Sequence, residues 1–170
     1  MERPNRNEYA DYYHTYVGKV PDGDIVERLE AQCSEMESLA ASIGEEKGNY
    51  RYAEGKWSIK EVIGHVNDVD RVFGYRMVAF ARGDSTPIPG MEQDDWVREA
   101  NFDARALADL AAEFVAIRRG LVALCRSLDD EALMRTGTAS GVEFTARAVP
   151  WVLAGHVLHH LAVIRDRYLD

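Results

Sequence analysis

Three of the chain's five histidines fall within six positions, in GHVLHH at 155–160. On a helix turning about 100° per residue, His156 and His160 lie about 40° apart in projection, with Cβ atoms roughly 5–6 Å apart. His159 points about 60° away from His156 and about 100° away from His160. Neutral imidazoles at i and i+4 can grip one divalent ion, as they do in H-E-x-x-H helices. Here the pattern is H-x-x-H-H without the glutamate, so the protease chemistry of that motif does not carry over. Two ligands rarely complete a site, and a third is expected from elsewhere in the chain. His65, in GHVND, is the candidate, because it also falls on the edge of an apolar helical stripe. The competing reading is a set of hydrogen-bonded core histidines, and spacing alone leaves both open.

Long helices must position these groups. The first is expected from Asp24 to Ile43, with Ile25, Leu29, Met36, Leu39 and Ile43 at helical spacing and Asp24 as N-cap. A second starts at WSIKE, where Ser58 and Glu61 form an S-x-x-E capping box. Its stripe runs from Ile59 through Val66 and Phe73 to Phe80, and Gly83 serves as the stop. The third is expected from Asp103 to Leu128. The fourth begins between Thr145 and Pro150 and continues to Tyr168, proline being tolerable only in a first turn. GVEFTARAV is a candidate for a brief extended piece.

These elements predict an all-α chain, one domain over residues 1–170 folded as a four-helix bundle, with residues 1–23 as an N-terminal arm. The arm's YADYYHTYV is expected to pack tyrosines over one end, with His14 as an ordinary arm residue. Between the second and third helices lie about 20 residues, GDSTPIPGMEQDDWVREANF, longer than antiparallel neighbours need. A connection of that length crosses the bundle or carries function.

Composition removes several classes. The 29 acidic against 20 basic residues give a net charge of −9, with no basic stripe for phosphates, so nucleic acid is not an expected partner. No apolar run suits a membrane span or a signal peptide, so the expected location is cytoplasmic. Cys33 and Cys125 sit in apolar helical patterns and read as buried thiols. Walker spacing, a G-x-S-x-G elbow and the paired E-x-x-H motifs of di-iron bundles are all missing from the sequence.

Among the remaining polar residues, Asp70 projects within the apolar stripe of the second helix. It therefore needs a partner, with Arg76 or a ligand imidazole as candidates, and it is the candidate general base or support for a ligand. Glu92, Asp94 and Asp95 of the long loop are within reach of a site mouth but read first as solvated. Trp57 and Trp151 read as core anchors, and Trp96 as a pocket wall or a dimer contact. Arg165 and Arg167 complement the dipole of the last helix.

The segments GKWSIKEVIGHVNDVDRVFGYR and GHVLHHLAVIRDRYL resemble the DinB-like superfamily of bacterial four-helix proteins. The shared features are W-S-x-x-E-x-x-x-H, from Trp57 to His65, and H-x-x-x-H, from His156 to His160; the loop PIPGMEQDDW resembles one branch. The resemblance implies an up-down-down-up bundle with a long crossover between helices two and three, often assembled as a homodimer. It implies a divalent metal held by His65, His156 and His160, with His159 a neighbour. Zinc, nickel, cobalt and ferrous iron suit three imidazoles about equally. It further implies a small-molecule substrate and a metalloenzyme that activates a low-molecular-weight thiol, such as bacillithiol or mycothiol, for transfer to a small electrophile. A metal-dependent hydrolase and a non-catalytic metal-binding module are the alternatives.

Overall fold

A computed structural model describes residues 1–169. Four long helices dominate it: α1 (Ile25–Ile43), α2 (Ile59–Ala81), α3 (Leu107–Ser127) and α4 (Ala148–Tyr168). Local chemistry sets their ends. Asp24 Oδ1 accepts from the backbone N–H groups of Val26 (2.7 Å) and Glu27 (3.2 Å), and α1 stops at Gly44 with φ +72°. The Ser58–Glu61 capping box forms in both directions, at 3.0 and 2.7 Å. The first turn of α4 contains Pro150, where a missing N–H costs nothing, and the Thr145 hydroxyl accepts from Ala148 N at 3.2 Å.

Two boundaries differ from the sequence expectation for physical reasons. Asp103 does not open α3, because its carboxylate accepts from Ser58 Oγ (2.6 Å) and pairs with Arg51 (2.6 Å), tying down the start of α2. The first turn of α3 is instead served from afar, by Glu45 Oε2 accepting from Leu107 N at 2.8 Å. The second difference is a hairpin between α3 and α4, which qualifies the all-α expectation. Strands β1 (Thr136–Ala139) and β2 (Val142–Thr145) pair antiparallel, and Ser140 and Gly141 both take positive φ, as a two-residue primed turn requires. The connection between α2 and α3 is ordered too, with a short helix at Gln93–Ala100 and with Ile88 bridged to Ala139 of β1.

Within the bundle, α1 and α2 each pack against both α3 and α4. The buried apolar side chains form two clusters. One gathers Leu29, Met77, Phe80, Leu121, Phe144 and Trp151; the other gathers Met36, Ile59, Ile63, Phe114, Val157 and Leu161. Each such side chain stabilises the fold by roughly 1.5–3 kcal/mol through removal from water. Polar groups mark the level where the clusters meet. Arg118 donates to both oxygens of Asp70 at 2.8 Å and to Gln32 Oε1 at 2.9 Å, and Gln32 Nε2 donates to the Ala154 carbonyl at 2.8 Å. That single network touches all four long helices. No helix among the described residues is long and apolar enough to cross a membrane.

Candidate metal centre

Little more than one turn from that network, α2 supplies His65 and α4 supplies His156 and His160. Their ring nitrogens converge: His156 Nε2 lies 3.2 Å from His65 Nε2 and 3.0 Å from His160 Nε2, and one ligating nitrogen from each fits within 4.8 Å of the others. Two glycines let the neighbouring chain close in behind them. A Cβ at Gly64, just before His65, would overlap the Phe102 ring. A Cβ at Gly155, just before His156, would overlap the Tyr16 carbonyl of the arm.

Burial sets the protonation state. It depresses His65 to about 4 and His160 to about 3, and His156, hemmed in by burial and by the neighbouring imidazoles, falls well below its ordinary value. All three are neutral at pH 7, the form that ligates. Hydrogen bonding within the triad satisfies them poorly. His156 Nε2 offers either one N–H or one lone pair and faces two neighbours, while Nδ1 of His65 and of His156 is buried without a partner. Nitrogens around a tetrahedral ion at about 2.0–2.1 Å stand roughly 3.3 Å apart, close to the spacing found here. The donor set fits a divalent ion. His159 stays outside the group, half-buried, with its ring against Tyr16 (5.9 Å) and His160 (5.0 Å).

The DinB superfamily model matches residues 28–164. The chain belongs to the DinB superfamily. No curated protein matches its sequence. Its fold is similar to that of YfiT from Bacillus subtilis, described as a probable metal-dependent hydrolase with an unusual four-helix bundle topology. That likeness has a TM-score of 0.73 at 15% identity and covers 98% of this chain and 91% of YfiT. The DinB-like protein YjoA from Bacillus subtilis is also similar, with a TM-score of 0.60 at 19% identity over 86% of this chain and 91% of YjoA. At these identities the likeness is one of fold.

In this DinB-superfamily chain the triad borders a cleft of about 460 Å³. His65 and His156 line it, together with Val69 and Phe73 of α2, Val152 of α4 and Tyr12, Tyr13 and Tyr16 of the arm. The segment between α2 and α3 contributes Gly90–Gln93 and the hairpin turn contributes Ser140. Arg76 lines it as well. The arm's tyrosines form a wall of the cleft, with Tyr13 against Phe73 and Phe144 and Tyr16 against His156 and His159.

The other candidates divide clearly. Asp70 does not pair with Arg76 or with an imidazole; its partner is Arg118, and both side chains are fully enclosed away from the cleft. A bidentate pair so buried is out of reach of a substrate proton. Trp96 is 45% exposed on the short helix and is not among the residues lining the cleft. Glu92 does line it, whereas Asp95 pairs with Arg98 at 2.7 Å. Trp57 packs its ring on His65 at 4.8 Å, and Trp151 is buried with Nε1 donating to Glu2 O at 3.1 Å. Sequence reasoning passed over Arg76, Tyr16 and Ser140 as cleft residues. For Arg76 a signal existed: eleven residues after His65 is close to three full turns, hence the same helix face.

Proposed function

We propose that this chain is a divalent-metal-dependent enzyme acting on a small molecule bound in the cleft, with His65, His156 and His160 as ligands. The convergence of three neutral imidazoles, two of which line an open cleft, carries this reading. A closed structural site takes four protein ligands, and among the described residues no fourth histidine, cysteine or carboxylate joins the group. Bound there, zinc, nickel, cobalt or ferrous iron would supply Lewis acidity and lower the pKa of a coordinated water or thiol. The protein's own part is to keep the imidazoles neutral, wall off bulk water with Tyr13, Val69 and Phe73, and orient what enters.

Transfer of a low-molecular-weight thiol to a small electrophile is the reaction we favour. Coordination alone deprotonates a thiol, so no separate base is required. Hydrolysis calls for a general base, and Asp70 is committed to Arg118. Glu92 on the cleft rim gives hydrolysis its own support and makes it the second reading. The reading includes an up-down-down-up helix order with a long crossover. Its support is that the end of α3 meets the start of α1 (Arg126–Glu30, 2.9 Å), α2 and α3 run together (Asn67 to Leu110 O, 3.0 Å), and the end of α4 meets the start of α2 (Tyr168 to Trp57 O, 2.7 Å).

Elemental analysis of tag-free protein, wild type beside His160→Ala, comes first. About one metal per chain in the wild type and none in the variant is the expected result. The loaded protein is then assayed with a thiol and monobromobimane, and separately with nitrophenyl esters. Thiol turnover that disappears in His160→Ala supports transfer. Ester hydrolysis that falls in Glu92→Gln, without thiol turnover, replaces it by the hydrolytic reading. A wild type that takes up no metal on reconstitution overturns both.

A further inference from the structure

Arg76 is 2% exposed, yet no carboxylate among the described residues pairs with it. Its Nη2 donates to two neutral oxygens, Pro89 O at 3.2 Å and Ser140 Oγ at 2.9 Å, and the Tyr13 hydroxyl stands beside it. Nε is buried with no partner at all. Its Cζ lies over the Phe73 ring, 4.5 Å from the centroid. Arg118, equally buried, has both oxygens of Asp70. A guanidinium cannot shed its proton at physiological pH, so a buried one without an anion is costly and calls for a partner from outside the chain. Arg76 lines the cleft into which His65 and His156 also face.

We infer that Arg76 anchors a carboxylate on the small molecule that occupies this cleft. The inference rests on the cleft being the substrate site and names the class of substrate: a small organic acid. His65, Val69, Phe73 and Arg76 succeed one another on a single face of α2, with roughly 16 Å of helix between the first and the last. A ligand held at Arg76 therefore extends over Val69 and Phe73, and its other end lies towards the histidines. The middle of the molecule is apolar or aromatic to match those walls. A carboxylate fits better than a phosphate, since no second lysine or arginine lines the cleft and Glu92 sits on its rim. One planar fork matches one carboxylate.

The test is calorimetric titration of 4-phenylbutyrate and its uncharged amide, 4-phenylbutyramide, into chelator-treated and zinc-loaded protein. Metal-free wild type is expected to prefer the carboxylate by about tenfold. Arg76→Gln loses that preference while still binding about one metal per chain, and Arg76→Lys, which keeps the charge but not the fork, retains part of it. Should Arg76→Gln fail to fold by circular dichroism, a clear drop in preference in Arg76→Lys stands in for it. Equal affinity for the two probes, no binding of either, or a preference untouched by these substitutions overturns the assignment. So does a preference that appears only with zinc and survives Arg76→Gln, because the carboxylate is then on the metal. An Arg76-dependent preference in a chain that takes up no metal would sustain the anion site and sink the metalloenzyme.

Discussion

Where the two apolar clusters meet, the charges and dipoles of Asp70, Arg118 and Gln32 are used up inside the chain, each on a partner from another helix. Along α2 and α4 from there, the triad does the reverse. His65, His156 and His160 point nitrogens at one another, leave two Nδ1 atoms without partners, and border a cleft. Both clusters are buried and polar, so burial alone does not separate structural from functional groups. What separates them is whether the hydrogen-bonding capacity is exhausted within the protein. By that criterion Arg76 belongs with the histidines and Asp70 does not. Burial pushes the Asp70 carboxyl up, and the Arg118 guanidinium bonded to both of its oxygens pulls the other way.

The largest effect is expected from breaking the closed network. Arg118→Met strands a buried carboxylate and should cost about 3–5 kcal/mol in urea denaturation. Asp70→Leu combined with Arg118→Met removes both charges and should recover most of that loss, short of about 1–3 kcal/mol for the amide oxygen of Gln32 that is left unpaired. A single-variant cost below about 1 kcal/mol would erase the distinction between the two clusters.

The open cluster should respond to metal instead. His160→Ala is expected to change metal-free stability by about 1 kcal/mol or less. Metal at a hundredfold excess over its Kd should stabilise the wild type by about 2.7 kcal/mol and leave the variant unmoved. Thermal unfolding with and without metal reads this directly. A variant stabilised as much as the wild type would remove His160 from the ligand set.

Gly155→Ala sharpens the contrast from the backbone side. The new methyl would overlap the Tyr16 carbonyl, so the arm must shift, at about 1–3 kcal/mol. Faster proteolysis within the arm and a lower denaturation midpoint are expected, with metal content kept. If the arm stays protected, the close approach at Gly155 does not hold it.

Much of this was readable from pattern. The 3.6-residue stripes gave four helices within a few residues of their observed ends, and the i, i+4 histidines with His65 meet as their helix faces require. The misses have local causes. Strand β1 is T-G-T-A, too small to alternate, and it needs Gly137 because a Cβ there would overlap the Phe80 ring. The third helix was expected to open at Asp103 because sequence cannot show that Ser58 and Arg51 have already claimed it. The partner of Asp70 lies 48 residues away on another helix, beyond any periodicity. Arg76 was legible as a position and illegible as a charge without a partner.

The smallest effect concerns the clamp that holds the arm over the cleft. Glu8 is buried and accepts from Arg147, from the Thr145 hydroxyl at 2.9 Å and from Asn5 N at 2.9 Å. Desolvation pushes its carboxyl up, but those donors outweigh it and the net shift is down from 4.5. The folded state therefore releases this proton more readily than the unfolded chain does. The resulting stabilisation is fully present above pH 4.5 and is lost as pH falls through the lower folded value. Glu8→Gln should cost about 1 kcal/mol at neutral pH and nothing once Glu8 is protonated, so the two stability curves converge on acidification. Parallel curves would mean the carboxylate charge contributes nothing. Tyr13 and Tyr16 sit on this same arm, so convergence would tie a wall of the cleft to the charge on Glu8.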